Sequence, residues 1–500
     1  MKLPRSFYSW TTISGVALAF ISLLLIIFMM VINLVFGRGD NYSGLFTYIV
    51  LPVFLIIGLI MIPLGAIRKM KELKKHKDEE PEAKLPIINL NDPAQRSAVI
   101  IFSIGSTIFL MLSALGSYEA FHYTESVPFC GTLCHEVMKP EYVAYQNSAH
   151  ARVTCVECHV GSGAGWYVKS KLSGMYQVYA VITNVFPRPI PTPITSLRPA
   201  RETCEQCHWP EQFYNRKLKT EKHYLADEAN TEWDISQQIK TGATYKALGL
   251  MEGIHWHINQ NVKIEYLPTD ISAEEIQWVR YTNLKTGKVK VFKASDSEVD
   301  EAKIDEKAIR IMDCMDCHNR PSHNYHPPQW FVDNALTNGG IPKTLPNIKA
   351  AAMEVLNVEY TTTDSAMMLI RANIFAYYQE NYPEIYDSRK EDIEKAVVAI
   401  QDGFNKNIFP EMKVRWSAYP VHIGHMNSNG CFRCHDEMHS TADGETISRD
   451  CNLCHLIVAQ GTPGSMETAM AFDSLEFKHP VDIDDAWRTE LCSTCHSQLY

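Results

Sequence analysis

Fourteen cysteines in 500 residues fall without remainder into seven short strings, and a histidine follows the second cysteine of every one. Six read C-x-x-C-H: Cys155/Cys158/His159, Cys204/Cys207/His208, Cys314/Cys317/His318, Cys431/Cys434/His435, Cys451/Cys454/His455 and Cys492/Cys495/His496. The first, Cys130/Cys134/His135, carries one extra residue between its cysteines. C-x-x-C-H is the attachment signature of a c-type haem. The cysteines add across the vinyl groups of one porphyrin, and the adjacent imidazole turns back to bind the iron. Two thioethers and one imidazole must reach the same macrocycle, so the spacing is tight. A disulfide framework would explain an even cysteine count but not the histidines. Zinc would want two pairs of ligands per ion, not one repeated pair plus its neighbour. The expectation is seven covalently attached haem c groups and a periplasm-like compartment where they are attached. A net charge of −10 gives no support to nucleic-acid binding.

Three apolar runs precede the first string, at residues 12–36, 45–67 and 97–117. Each is near the ~20 residues a helix needs to cross a bilayer. The length of the first, with a second span directly behind it, argues against a cleaved signal peptide. The loop 68–96 carries eight Lys/Arg, whereas 37–44 carries only Arg38. Basic loops stay in the cytoplasm. The N-terminus, with Lys2 and Arg5, is then cytoplasmic, and three crossings put residue 118 onward on the periplasmic side of a bacterial inner membrane. His76, in the basic loop, reads as a solvated residue.

Downstream, residues 166–186 suit an amphipathic helix with Lys169 and Lys171 near its start. The proline-rich stretch 187–199 reads as an extended connector. Residues 225–310 hold no string but alternate like strands, which predicts a small antiparallel β insertion. Residues 340–420 show helical periodicity, with starts at Pro342, Thr363-Asp364 and Ser388. The last three strings lie within 66 residues, too few for an ordinary apolar core. Porphyrin must supply much of the buried surface there.

Low-spin electron-transfer haems take two axial ligands. Besides the string histidines and His76, eleven histidines remain. The distal candidates are His150, His223, His323, His425, His439 and His479, with His257 and His422 as weaker ones; His122, His255 and His326 complete the set. Met138, three residues after His135, is an axial candidate for the first haem.

The order of these residues is similar to the NapC/NirT/NrfH family of membrane-anchored quinol dehydrogenases. The likeness runs from Phe129 to about His323: C-x-x-x-C-H followed by EVM, EYVAYQNSAH ending at His150, CVECHV, the spacing of His223, and CMDCH with His323 five residues on. The resemblance implies that Met138 ligates the first haem at the membrane surface beside a quinol pocket. It implies that His150, His223 and His323 are partner ligands within a four-haem cluster. In some members a lysine and an acidic residue on the helix after the second haem help bind quinol. Lys169 and Lys171 match the lysine region, and the acidic position is Gln177 here. Departures are the longer first string, three spans, the β insertion and three added haems. Three spans with seven haems look most like the inner-membrane heptahaem cytochromes of metal-reducing bacteria.

The expected fold is therefore a membrane-anchored multihaem cytochrome c: three N-terminal transmembrane helices, then a mostly α and irregular haem-packed periplasmic region with a small β insertion. The expected divisions are an anchor (1–117), a three-haem domain (118–224), the insertion (225–310), a fourth-haem segment (311–340), a helical spacer (341–420) and a C-terminal trihaem module (421–500). The expected function is quinol dehydrogenation, from menaquinol to periplasmic c-type cytochromes and onward to extracellular acceptors. The alternative is reduction of a small oxyanion at a five-coordinate haem.

Overall fold

The computed structural model describes residues 9–36, 47, 50–75, 89–161, 164–193, 199–209, 216–242, 253–470 and 473–497. His76 lies outside them. The chain divides into two compact units, Met1–His135 with Thr154–Val156, and Glu136–Val153 with Glu157–Tyr500.

The first unit contains helices α1 (Trp10–Phe36), α2 (Leu51–Lys75) and α3 (Pro93–Thr124). Their apolar stretches, 22, 21 and 30 residues, are long enough to cross a membrane. Small residues let α1 and α2 approach closely, as membrane helices do. A Cβ on Gly58 would stand 2.6 Å from the Ala19 nitrogen, and one on Gly15 2.7 Å from the Met61 Cβ. Helix α3 extends to Thr124, beyond the expected end at 117. Polar Glu119 and His122 do not break a helix. The stop comes at Ser126, whose hydroxyl accepts from the Phe129 N–H at 3.2 Å and caps α4 (Val127–Thr132), with Pro128 in its first turn.

Helices α5 (His135–Gln146) and α6 (Cys155–His159) begin on first-unit residues and continue in the second, where α7 (Ala164–Ile182) and α8 (Ala200–Cys204) lead into strands. A four-stranded antiparallel sheet has the order β1-β2-β8-β9: β1 (Arg216–Tyr224), β2 (Glu232–Lys240), β8 (His455–Thr462) and β9 (Ser465–Thr468). A five-stranded one has the order β6-β3-β4-β5-β7: β3 (Val262–Pro268), β4 (Ile276–Asn283), β5 (Val289–Ala294), β6 (Arg310–Ile311) and β7 (His439–Ser440).

The strands of 225–310 are antiparallel and pair beyond that stretch. Its β2 pairs with β8, from Asp234↔Gly461 to Ile239↔His455, and its β5 pairs with β7. An isolated hairpin is marginal in water, and both edges here are completed by chain from the C-terminal haem region. The first strand also begins at 216, ahead of the expected boundary.

The helical spacer is as periodicity indicated: α11 (Ile348–Leu356), α12 (Thr363–Asn381) and α14 (Lys390–Asn407), with α10 (Pro328–Thr337) and α13 (Pro383–Ser388) added. Helix α12 starts with a reciprocal cap between Thr362 and Ser365. One apolar core joins the five helices' region, with Val332, Ile341, Leu345, Ile348, Ile370, Ile374, Ile393 and Ile400 wholly inaccessible to solvent. Between α8 and the spacer, helix α9 (Cys314–Cys317) is a single turn holding the fourth string; α15 (Cys492–His496) holds the seventh.

Candidate haem-binding sites

Each string is held on a short turn, which brings both cysteines to one side and the histidine directly after. The His208 and His318 N–H groups donate to the carbonyls of Cys204 and Cys314 at 2.8 Å, and His435 does so to Cys431 at 3.1 Å. The fourth turn is capped at both ends of a box: Asp313 accepts from the Met315 N–H at 2.8 Å, and Asp316 accepts from the Asp313 N–H at 2.6 Å and from the Tyr266 hydroxyl. No disulfide links any of the fourteen cysteines.

The cysteines are not all enclosed by protein, as residues holding a cofactor in a closed pocket would be. Cys158, Cys207, Cys451 and Cys495 are exposed, whereas the other ten are half-buried. Cys207 follows the last turn of α8, and Cys495 lies on α15 at the end of the chain, where few other elements pack over them. The physical reason is that a thioether forms at the edge of the porphyrin. The string has only to present its sulfur there, and the macrocycle rather than neighbouring side chains covers it.

Six string histidines face a second imidazole. The ring centres are 6.1 Å apart for His159 and His323, 6.0 Å for His208 and His150, and 6.3 Å for His318 and His255. They are 5.9 Å apart for His435 and His257, 6.2 Å for His455 and His425, and 6.1 Å for His496 and His479. Two imidazoles on one metal, each with a bond of about 2 Å and a ring centre roughly 1 Å beyond its nitrogen, stand about 6 Å apart. Rings in direct contact would stack closer, as His326 does on Trp330 at 3.6 Å. The residues present therefore fit iron porphyrins carried between imidazole pairs.

The second ring nitrogen supports this. Nδ1 donates to a carbonyl in His150 (Pro321, 3.2 Å), His255 (Thr241, 2.6 Å), His257 (Ile254, 2.8 Å), His435 (Ser448, 2.9 Å) and His479 (Val481, 2.7 Å). That tautomer leaves Nε2 with its lone pair, the form a metal takes. His323 adds a carboxylate: Nδ1 meets the Glu141 carboxylate at 2.9 Å as well as the Glu141 backbone carbonyl at 3.1 Å. Burial alone would raise the Glu141 pKa, but the hydrogen bond from His323 and the charge of Arg320 hold it down at about 2. The Nδ1 atoms of His425 and His455 are buried with no hydrogen-bond partner among the described residues. Burial, then the neighbouring His455, lowers the His425 pKa to about 4, so the ring is neutral and ligand-competent at neutral pH.

The strings themselves form a row. The Cys204 thiol shares a hydrogen bond with Cys314 and has Cys158 nearby. Cys431 lies near Cys317 and Cys454, Cys317 near Cys434, and Cys451 near Cys492. Strings two to seven are thus neighbours in chain order. At the first string, Cys130 and Cys134 are half-buried, as is Met138 on α5; the side chain of His135 lies outside the described set.

Three expected ligands stand elsewhere. His439 is buried in β7 with Nδ1 bonded to Asp436 at 2.9 Å and Nε2 to the Ile276 carbonyl at 2.8 Å, so neither nitrogen is left for a metal. His223, on β1, places Nδ1 3.6 Å from the Asp333 carboxylate. It neighbours His496, whose facing ring is His479, rather than lying within the first four strings. His422 bonds the Asp316 carbonyl through Nδ1 at 3.1 Å and faces no string ring among the described residues. Conversely, His255 faces a string although its sequence position ranks below these three. The signal for it is a pair of histidines two apart, GIHWHINQ, in otherwise strand-like sequence.

On α7, Val168, Leu172, Met175, Tyr176, Tyr179 and Ile182 are exposed and recur at helical spacing, giving one solvent-facing apolar stripe. Lys169 and Lys171 flank it on either side, Lys169 with its ammonium 4.8 Å over the Trp166 ring. Gln177 falls on the opposite side of the helix and reaches Ser173 at 3.5 Å. The three expected quinol-site residues are therefore not brought to one point.

A family model described as the N-terminal region of the NapC/NirT cytochrome c family matches residues 92–189. Cytochrome c-type protein ImcH of Geobacter sulfurreducens is 42% identical over 491 residues, covering 98% of this chain and 95% of ImcH. Cytochrome c-type protein NrfH of Wolinella succinogenes is 30% identical over 115 residues, 22% of this chain and 63% of NrfH. No solved structure matches the chain. Near-full-length identity to ImcH, three apolar helices and haem strings with facing imidazoles together show that the chain belongs to the NapC/NirT cytochrome c family, as an ImcH-like, membrane-anchored multihaem cytochrome with covalently bound haem c.

Proposed function

We propose that the chain carries seven haem c groups and oxidises menaquinol at the inner membrane, passing electrons to periplasmic c-type cytochromes and onward toward extracellular or metal-oxide respiration. The observation that carries this reading is the unbroken row of strings two to seven, each with a second imidazole facing its own. When bound, haem c supplies a one-electron iron couple, and a row of them suits carriage of single electrons over distance. The cysteines of each string would form the thioethers. The string histidines His135, His159, His208, His318, His435, His455 and His496 would each give an imidazole to the iron of their own haem, with Met138 a further donor for the first. His323, His150, His425 and His479 would give the second imidazole to the second, third, sixth and seventh. A small-oxyanion reductase needs an iron with an open face, and facing imidazoles at six strings count against it.

The donor is assigned from α7. Its apolar stripe suits the lipid boundary, with Lys169 and Lys171 at the edge where ammonium groups reach water. Either lysine can donate to a quinol oxygen and stabilise negative charge as the proton leaves. Oxidation of one quinol releases two protons and two electrons. The Gln177 amide has no basic site for those protons, so another group or water takes them. The basic loop 68–96 sets the N-terminus in the cytoplasm and the haem region in the periplasm. The test is reduction of the purified, fully haemylated protein in lipid by a menaquinol analogue. Rapid reduction that weakens in Lys169→Gln or Lys171→Gln supports the reading, and no reduction by the analogue overturns it.

A further inference from the structure

The short 3₁₀ turn Ile254–Ile258 is the one place where two spare histidines sit two residues apart and face different strings. His255 lies parallel to His318 of string four, with ring planes 1° apart. His257 stands nearly perpendicular to His435 of string five, at 83°. Successive residues of a 3₁₀ helix are about 120° apart, so neighbours two apart point in different directions and cannot share one metal. Both rings donate through Nδ1, to the Thr241 and Ile254 carbonyls, the tautomer in which Nε2 carries the lone pair.

The turn is fixed on two sides. Gly253 has φ 113°, and a Cβ there would come within 2.0 Å of the Gly242 carbonyl oxygen, so the approach requires glycine. Trp256, between the two histidines, stacks on Tyr281 of β4 at 5.5 Å. Strings four and five are also tied to each other. Arg433, inside string five, donates to the Asp316 carbonyl of string four at 2.8 Å and to the Ala273 carbonyl of the insertion at 2.6 Å.

We propose that His255 and His257 are the distal ligands of the fourth and fifth haems, so that one rigid turn of the β insertion sets the first group of haems in register with the last three. This rests on the haem reading above but not on the identity of the electron donor. It gives the insertion a purpose: it contributes no string, yet it supplies ligands to the two haems that meet at the join. The remaining described histidines do not compete for these irons. His326 is stacked on Trp330, His439 is bonded at both nitrogens, and His422 faces no string ring among the described residues.

The test uses the full-length haemylated protein in detergent. Haem content per chain and intact mass are measured first, which separates a missing haem from a missing ligand. His255→Ala and His257→Ala are each expected to keep the wild-type haem content and to convert one low-spin ferric haem to a high-spin one in the EPR spectrum. Each gains one carbon monoxide site when reduced, and the double variant gains two. His326→Ala keeps the wild-type spectrum. Unchanged low-spin signals without carbon monoxide uptake in the single variants would overturn the assignment. Such a result alongside normal reduction by menaquinol analogue rejects this ligand pair alone, whereas loss of haem from the wild-type count of seven rejects the broader reading. Should an alanine variant fail to accumulate, His255→Met and His257→Met retain an axial donor. Each is expected to accumulate and show the charge-transfer band of a methionine-ligated ferric haem. A methionine variant that fails to accumulate, or lacks that band, overturns the assignment.

Discussion

The helical spacer and the C-terminal haem segment adjoin in sequence yet stand up by different physics. From 328 to 408 the chain buries a continuous set of isoleucine, leucine, valine and aromatic side chains. Each fully buried one contributes about 1.5–3 kcal/mol. From 421 to 497, Leu456 and Ile457 are the only apolar side chains, cysteine aside, buried among the described residues. Regular structure there is limited to single turns, short strands and the six-residue-or-shorter elements that carry strings, β8 apart. The spacer holds itself together; the haem segment instead sets its string histidines opposite second imidazoles. A chain can thus give up its own core where a covalent prosthetic group replaces it.

The largest test of this contrast removes the attachment points. In a Cys431→Ala/Cys434→Ala double variant, residues 421–497 are expected to lose amide protection and become protease-sensitive, while α10–α14 keep theirs in hydrogen exchange. Equal loss in both regions would break the comparison. Next comes a polar liability inside the spacer. Lys349 and Asp333 form a buried ion pair, and burial lowers the Lys349 pKa while Asp333 raises it back. Asp333→Asn leaves a buried ammonium unpaired, at an expected cost of about 3–5 kcal/mol. Because the folded-state pKa of this base lies below its unfolded value of 10.5, the unfolded chain binds more protons between the two. Stability of the variant should therefore rise with pH across that window, seen as a rising denaturant midpoint of the helical transition.

A smaller loss is expected from Ile374→Ala, which empties a wholly buried site in the same core. It should cost about 2–5 kcal/mol in the helical transition without changing the haem spectrum. A shift of the spectrum would show that the two regions are less separate than their cores indicate. The smallest effect sharpens the haem side. His323 alone among the facing histidines bonds a carboxylate through Nδ1. A carboxylate partner makes the ring a stronger donor and favours ferric iron. Glu141→Gln should raise the midpoint potential of one haem in a spectroelectrochemical titration and leave the others in place.

The strings were fully legible, because haem attachment depends on residues within five or six positions of one another. The spans were legible too, since a bilayer demands a long apolar run; the helices α2 and α3 run past the expected ends at 67 and 117, since polar residues there do not break a helix. The spacer helices showed in their 3.6-residue period. The β insertion showed as alternation, but its partners did not. β8 begins on a haem-string histidine, His455, so its strand character was masked by its chemistry. Among the ligand candidates, His150, His323, His425 and His479 stand opposite strings, whereas His439 looked equally good in sequence and is consumed by Asp436 and Ile276.

Composition and spacing by themselves determined that this chain is anchored in a membrane and binds haem c covalently, because both properties are written in short contiguous segments. Which histidine faces which string was decided only by the tertiary structure. His150 meets His208, His255 meets His318 and His257 meets His435 across stretches of chain whose path is set by sheet pairing and helix packing. A covalent linkage is local in sequence, but an axial partner needs only to arrive in the right place, and the fold is what brings it there.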